Sequence, residues 1–482
     1  MLFNSIDFAL FLPVVFILYW LLNNQDLKFQ NLLIVLASYI FYSFWDWKFL
    51  SLIVFSTLVD YIIARTLETQ SNSTSRKSLL WISILVNIGF LGVFKYYNFF
   101  VENFVSAFTL MGKSLDIATL KIILPVGISF YTFQTLSYTI DVYKYKLKPT
   151  KDFIAFSAFV CFFPQLVAGP IERATNLLPQ FLKKRKFNYS LAVSGLRQIL
   201  WGLFKKIVIA DNCAELANII FNNSSDYSGS TLVLGALFFT FQIYGDFSGY
   251  SDIAIGTSKL FGFDLMKNFN YPYFSRDIAE FWRRWHISLS TWFRDYVYIP
   301  LGGSRGSTAI KVRNIFIIFL VSGFWHGANW TFVAWGALNA LYFLPLLLTK
   351  RNRVSLGTIA EGKILPSVRD LLGMAITFSL TVFAWIFFRA ENIHHAYLYI
   401  KGIFSETLFT YPVFHKDDTL KSIVLLVFGF LVIEWIGRND NFAIEKFGEN
   451  WHKAFRWLFY LVLIFLLFYF AGEQQAFIYF QF

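Results

Sequence analysis

Long charge-free runs separated by short polar stretches dominate this chain. A helix that spans a membrane needs about 20 mostly apolar residues, and the runs that approach this length predict about ten to twelve spans. The candidate windows are 8–22, 29–44, 49–64, 79–94, 122–140, 153–171, 231–245, 314–325, 327–349, 371–388, 422–436 and 457–472. Strands of a membrane barrel would alternate apolar and polar positions instead. The pattern therefore predicts an all-α polytopic membrane protein.

The composition supports this prediction. The chain is 56% hydrophobic and 21% aromatic, and only 15% of its residues are charged, against about 25% in soluble domains. No internal repeat is visible, so we treat residues 1–482 as a single integral-membrane domain.

The net charge of +12 is concentrated in a few segments. Residues 143–210 carry 12 Lys or Arg against two acids, which predicts a cytoplasmic location because positive residues accumulate on that side. Residues 405–421 are nearly balanced and are expected to face outward. A basic cytoplasmic face would also attract an anionic donor such as a CoA ester, although topology alone accounts for most of the charge. The two cysteines, Cys161 and Cys213, suggest neither a disulfide framework nor a metal-binding spacing.

The window 153–171 has basic clusters on both sides, so we expect the chain to enter and leave the membrane on the same side. Pro164, Gly169 and Pro170 supply the break that a re-entrant hairpin needs. Non-helical backbone at membrane depth occurs where it is buried in protein or lines a cavity. The stretch "FFPQLVAGPIER" (162–173) is therefore predicted to line an internal chamber.

The segment 274–306 is too charged to span freely and too aromatic for a solvated loop. Its apolar positions recur every three or four residues, which predicts an amphipathic helix at the interface or across the mouth of the bundle. These positions are Ile278, Trp282, Trp285, Leu289, Trp292 and Tyr296. The following "GGSRG" is typical of a turn and lacks the spacing of a phosphate loop.

Two histidines lie in this apolar context. His326 is inside the charge-free run 314–349, and His286 is on the predicted amphipathic helix. Ionisable groups in a membrane are costly and suggest function, and an imidazole can act as a base near neutrality. The alternative for His326 is a structural role in the core, with a hydrogen bond to a neighbouring helix. The alternative for His286 is an interfacial position with a solvated ring tip. With no further ligand cluster in the sequence, metal binding is not expected.

Asp246 and Asp252 follow another apolar run, in "FQIYGDFSGYSDIAIG" (241–256). We expect at least one of them to cap a helix that continues through residues 253–260.

Two long motifs extend beyond these single residues: "FWRRWHISLSTWFRDYVYIPLGGSR" (281–305) and "SGFWHGANWTFVAWGALNA" (322–340). Together with "LPVGISFYTFQTLSYTIDVY" (124–143), the segments at 162–173 and 241–256, and the closing "AFIYFQF" (476–482), they resemble the membrane-bound O-acyltransferase family, in particular its bacterial alginate O-acetyltransferase branch. The resemblance implies a bundle of about eleven transmembrane helices, with re-entrant or interfacial helices, around a central tunnel. His326 matches the family's catalytic histidine, and His286 matches the second histidine of the polysaccharide-modifying members.

The resemblance also implies a reaction. Acetyl-CoA or another acyl thioester would be the donor, with no bound cofactor, and His326 would be the general base while His286 orients a group or stabilises the oxyanion. The acceptor would be an exported glycan or an SGNH-like extracytoplasmic partner of a bacterial inner-membrane protein. Further residues expected to line the tunnel or contact substrate are Gln165, Gly169, Pro170, Asp246, Tyr250, Asp252, Trp282, Trp285, Arg294 and Asn329. A D-alanyl or longer-acyl transferase and a transporter or flippase remain as alternatives.

Overall fold

The structure is a computed structural model that describes the chain except residues 114, 116, 118, 121–122, 168, 413–416, 473–474 and 481–482. Over the described residues it is all-α, with 73% helix and no strand. The chain divides into two compact units. Unit 1 comprises residues 1–192 and 257–265, and unit 2 comprises residues 193–256 and 266–482.

Unit 1 contains the first helices of the chain, and those at residues 97–110 and 174–181 match no predicted window. These first helices are α1 (Ile6–Leu21), α2 (Leu27–Asp46), α3 (Leu50–Thr69), α4 (Ser73–Leu91), α5 (Tyr97–Leu110), α6 (Ile128–Tyr143), α7 (Phe153–Cys161), α8 (Phe163–Leu166) and α9 (Ala174–Phe181). A buried carboxylate joins three of them. Asp60 on α3 accepts hydrogen bonds from Ser83 and Asn87 on α4 and from Thr139 on α6, the last two at 2.8 and 3.0 Å. Such interhelical bonds satisfy polar groups that lipid cannot solvate.

The window 153–171 is not a continuous helix. Helix α7 has nine residues and α8 has four, and Phe162 separates them. Gly127 at the start of α6 approaches this break with φ +75°, and a Cβ there would lie 2.6 Å from the carbonyl oxygen of Leu166. Gln165 is buried and donates to the carbonyl of Phe159 at 3.2 Å. Gly169 and Pro170 are also buried, and the prediction that these three residues line a tunnel stays a prediction.

Unit 2 begins within α10 (Tyr189–Leu203), which continues into a π-helical segment, Phe204–Ala210. The helices that follow are α11 (Asp211–Asn222), α12 (Gly229–Leu260), α13 (Ile278–Arg284), α14 (Ile287–Phe293), α15 (Thr308–His326), α16 (Trp330–Leu348), α17 (Val368–Arg389), α18 (Ile393–Ile403), α19 (Asp417–Ile436) and α20 (Lys453–Tyr469). The end of α12, from Thr257, belongs to unit 1.

The capping prediction for Asp246 and Asp252 is wrong, because α12 is one uninterrupted helix of 32 residues. Both carboxylates lie in its interior, where no free backbone N–H groups await a cap. Each faces a lysine of the π-helical segment instead: Asp246 lies 2.8 Å from Lys206, and Asp252 lies 2.5 Å from Lys205.

The single amphipathic helix expected over 274–306 is also wrong. Trp285 is extended, His286 adopts φ 44° and ψ 55°, and α13 and α14 are separate seven-residue helices. The apolar Phe281 and Trp285 are buried, and so are the charged Glu280 and Arg284, whereas Arg283 and Arg294 are exposed. Much of the segment therefore packs inside unit 2, and its burial includes charged positions that the periodicity placed on the solvated face.

Seven stretches among the described residues are long and apolar enough to cross a membrane. One of them, Leu27–Thr69, has 43 residues and would measure about 65 Å, twice the apolar thickness of a bilayer. A 3-10 turn at Trp47–Phe49 divides it into α2 and α3, so it has the length of two crossings. The chain is a multi-pass membrane protein.

Candidate active site

A helical hairpin positions His326. Helix α15 ends at His326, and α16 starts four residues later, at Trp330. The two backbones touch at glycines: a Cβ at Gly323 would lie 2.3 Å from the carbonyl oxygen of Phe332, and a Cβ at Gly336 would lie 2.4 Å from that of Phe319. The sequence thus permits a contact that places the last turn of α15 directly against α16.

His286 is held by its backbone. It precedes α14 in the left-handed conformation, with φ 44°, which is costly for a residue with a Cβ and is found mainly where the surroundings enforce it. The next two residues are bound to Asn268. The N–H of Ile287 donates to the Asn268 carbonyl at 2.9 Å, and the Ser288 hydroxyl donates to Asn268 Oδ1 at 2.8 Å.

The two histidines meet inside unit 2. Their ring centroids are 6.4 Å apart, and the residues are 1% and 3% exposed. Aromatic rings surround the pair, namely Phe247, Trp325, Trp335, Phe388 and Tyr479. A reacting group bound by either imidazole would therefore be shielded from water.

His286 has both ring nitrogens buried with no hydrogen-bond partner among the described residues. Burial lowers its pKa from 6.5 to about 3, so the ring is neutral at physiological pH. A neutral imidazole offers one N–H donor and one acceptor nitrogen. Buried polar atoms are normally satisfied, and this side chain is suited to bond a ligand.

Tyr479 is the site residue that sequence reasoning missed. Its ring centroid lies 5.6 Å from that of His326 and 6.4 Å from that of His286. The closing motif at 476–482 contributes to the family resemblance as a whole, but its distance in sequence from both histidines gives no reason to single out one tyrosine.

A cavity of about 490 Å³ runs beside α15. Two predicted residues, Trp282 and Arg294, line it. Three further cations, Lys311, Lys350 and Arg353, also contribute to its wall. The cavity follows α15 from Lys311 to Ser322, about 16 Å at 1.5 Å per residue. Ser322 lies one turn before His326 on the same helix face.

Arginines of the 274–306 segment hold one wall of this cavity. Arg283 donates to the carbonyls of Asn352 and Ser355 at 2.9 and 2.7 Å. Arg276 and Arg284 both donate to the Gly357 carbonyl, at 2.9 and 3.2 Å. The loop that carries Lys350 and Arg353 is thereby fixed at several backbone positions.

The remaining predicted site residues have structural contacts. Trp285 is buried with its ring 5.1 Å from that of Trp385. Asn329 caps α16 by accepting from the N–H of Thr331 at 3.0 Å and donates to the Glu391 carbonyl at 2.7 Å. Asp252 accepts from Gln198 at 2.8 Å as well as facing Lys205.

Tyr250 and Asp246 approach the C-terminal segment. The Tyr250 ring centroid lies 4.2 Å from that of Phe477, and Asp246 accepts a backbone hydrogen bond from Ile478 at 2.7 Å. Within the described part of the chain, no three His, Cys, Asp or Glu side chains are arranged to hold a metal ion.

Comparison with known proteins gives consistent results. The model of the MBOAT, membrane-bound O-acyltransferase family, matches residues 34–387. A relative from Pseudomonas aeruginosa, named "Probable alginate O-acetylase AlgI", is 41% identical over 437 residues, which cover 90% of this chain and 81% of that protein. The peptidoglycan O-acetyltransferase of Helicobacter pylori is 36% identical over 100% of this chain and 98% of its own. The teichoic acid D-alanyltransferase of Bacillus subtilis is 29% identical over 56% of this chain and 70% of its own.

Proposed function

Because the chain belongs to the membrane-bound O-acyltransferase family and is therefore an acyltransferase, we propose that it transfers acetyl groups from acetyl-CoA for the O-acetylation of an exported glycan. The juxtaposition of His286 and His326 in a buried aromatic cluster carries this proposal. In a bacterium the enzyme would lie in the inner membrane. Its fold would be the family's bundle of about eleven helices around a tunnel.

The two imidazoles have different roles in the proposed reaction. His326 removes the proton from an acceptor hydroxyl while the hydroxyl oxygen attacks the thioester carbonyl. The N–H of neutral His286 donates to the oxygen that becomes negative. When the tetrahedral intermediate collapses, the C–O bond remains, the C–S bond breaks, and the imidazolium of His326 returns the proton to the thiolate. The transfer thus needs no net proton and no metal ligand from this chain.

The basic cavity is the proposed donor site. A CoA ester carries its phosphates at one end and its thioester at the other, and the cavity has its lysines at the start of α15 and the end of α16 and reaches Ser322 near His326. Its volume of about 490 Å³ is in the ordinary range for small-molecule sites. The basic residues that flank the α15–α16 hairpin predict that this end of both helices faces the cytoplasm, because positive residues accumulate on that side. The donor would therefore enter from the cytoplasm.

The acceptor is the less defined substrate. Relatives at 36–41% identity are named for acetylation of alginate or peptidoglycan, and we propose a glycan hydroxyl, reached directly or through an SGNH-like extracytoplasmic partner. The D-alanyltransferases match at 29% identity over little more than half of the chain. Acetyl is therefore the favoured acyl group.

The direct test replaces His326 by Ala and measures the ester-linked acetyl content of the cell-surface glycan. Loss of the general base is expected to lower transfer by about 10²–10⁴-fold, with the protein still present in the membrane in normal amount. Normal acetylation by the variant would contradict the assignment. Supplying purified enzyme with labelled acetyl-CoA or a D-alanyl thioester then identifies the acyl group, because only the preferred donor should be consumed in a His326-dependent manner.

A further inference from the structure

A buried lysine holds the C-terminal segment 475–479. Lys206 lies on the π-helical segment and is 1% exposed. Its Nζ donates to the carbonyl oxygen of Gln475 at 3.1 Å and lies 2.8 Å from both Asp246 Oδ1 and Asp211 Oδ1. The second oxygen of Asp246 accepts from the N–H of Ile478 at 2.7 Å. The Lys206–Asp246 pair therefore binds the backbone at two points, three residues apart.

The same segment contacts the aromatic cluster around His286 and His326. Phe477 packs on Tyr250, and the Tyr479 ring lies 4.5 Å from that of Phe247, in addition to its contacts with both histidines. The backbone of segment 475–479 thus contacts Lys206 and Asp246 of the charged cluster, and its Tyr479 side chain lies at the candidate active site.

Stability alone is a poor explanation for such a cluster. Taking ions out of water is costly, and buried ion pairs are often no more stabilising than apolar residues of similar volume. Their advantage is a fixed geometry, since each partner accepts only a few arrangements. A π-helical turn, as at Phe204–Ala210, is also often found at functional sites.

We propose that Lys206 and Asp246 are positioning residues for acyl transfer: together they clamp the backbone of 475–479 and so keep Tyr479 against His286 and His326. The consequence for the rate rests on the proposed function. The consequence for the segment itself does not, because the clamp can be observed without any substrate.

The first experiment removes one hydrogen bond and leaves all charges in place. Ile478→Pro deletes the N–H that Asp246 accepts, at the first position of the 3-10 turn Ile478–Phe480, where proline is tolerated. Ile478→Val keeps the N–H and is the reference. We expect kcat for acetyl transfer to be at least tenfold lower in the Pro variant than in the Val variant, with KM for acetyl-CoA within twofold. Equal kcat values, or a loss confined to KM, would overturn the positioning role.

The second experiment measures the segment directly. A Gln475→Cys probe is labelled with maleimide in purified protein, with the parent chain as background because Cys161 and Cys213 are buried. Lys206→Met should raise the labelling rate at least fivefold relative to Asp211→Asn, which perturbs the cluster but removes no bond to the segment. Ile478→Pro should also raise the labelling rate, and it takes the place of Lys206→Met if that variant folds poorly.

The two proposals fail differently. Increased labelling in a protein whose parent transfers no acetyl group would support the clamp and contradict the proposed function. Labelling rates equal to those of the reference variants would overturn the clamp, whatever the activity.

Discussion

His286 is neutral in the folded protein well below the pH at which free histidine protonates. Burial lowers its pKa to about 3, whereas the unfolded chain binds the proton near pH 6.5. As pH falls from 7.5 to 5, the unfolded state therefore gains a proton that the folded state does not, and stability decreases by about 2 kcal/mol for this one group. The thermal midpoint of the wild type should fall accordingly between these two pH values. The thermal midpoint of His286→Gln, which does not titrate, should fall less over the same pH range. Equal falls in the two proteins would contradict the lowered pKa of His286.

Tyr479 permits a second test with single-residue resolution. Tyr479→Phe keeps the ring that packs on Phe247 and both histidines and removes only the hydroxyl. If that hydroxyl bonds a reacting group, kcat should fall about tenfold or more, since a lost bond to a charged transition state costs about 1.5–3 kcal/mol. Tyr469→Phe, at an exposed position, is the control. Unchanged kcat in Tyr479→Phe would limit Tyr479 to packing.

At the scale of elements, the α15–α16 hairpin depends on backbone contact at Gly323. Gly323→Ala would place a methyl group 2.3 Å from the Phe332 carbonyl oxygen, so the helices must separate and His326, three residues later, must move. We expect a lower thermal midpoint and at least tenfold lower transfer. Gly429→Ala is the matched control, because Gly429 is also helical and has nothing within 4 Å. Its helix should be slightly stabilised, and a similar loss in both variants would contradict the contact argument.

The cavity wall makes a further prediction at this scale. Lys350→Glu combined with Arg353→Glu reverses two charges of the proposed donor site, so KM for acetyl-CoA should rise at least tenfold with little change in kcat. The rise should shrink at high salt as charges are screened. Lys183→Glu with Lys184→Glu makes the same charge change at exposed positions outside the cavity. An equal effect of both pairs would indicate net charge rather than a donor site.

Helices could be predicted from the sequence where a single physical property, the length of an apolar run, determines them. Apolar length alone placed α16 within three residues of its observed bounds and the end of α15 within one, but α15 starts six residues before its window because the helix includes Lys311 and Arg313. Periodicity failed over 274–306, because the left-handed turn at His286 depends on tertiary contacts with Asn268 that lie about 20 residues away. The caps assigned to Asp246 and Asp252 failed for a related reason, since their lysine partners come from another helix.

At the scale of the molecule, the candidate site also contains some residues that the sequence identifies and one that it does not. His286 and His326 could be selected because a titratable group in an apolar run is conspicuous, and the structure brings them together. Tyr479 could not, because tyrosine is common in this aromatic chain and its proximity to both histidines depends on the fold of the whole of unit 2. Gln165, Gly169 and Pro170 belong to unit 1, and their tunnel-lining role stays a prediction.

The arrangement of charge along α15 predicts that the acyl donor reaches the enzyme from only one face of the membrane. Helix α15 is about 27 Å long at 1.5 Å per residue, close to the apolar thickness of a bilayer. Lys311, in the basic wall of the cavity, lies near its start, and His326 lies at its end. Acetyl-CoA should therefore be consumed only from the face that carries the basic loops. In sealed vesicles of defined orientation, inverted vesicles should release CoA from added acetyl-CoA, and right-side-out vesicles should do so only after permeabilisation. Inverted vesicles with His326→Ala are the control for unrelated thioesterases, and equal consumption from both faces of intact vesicles would contradict a cytoplasmic donor site.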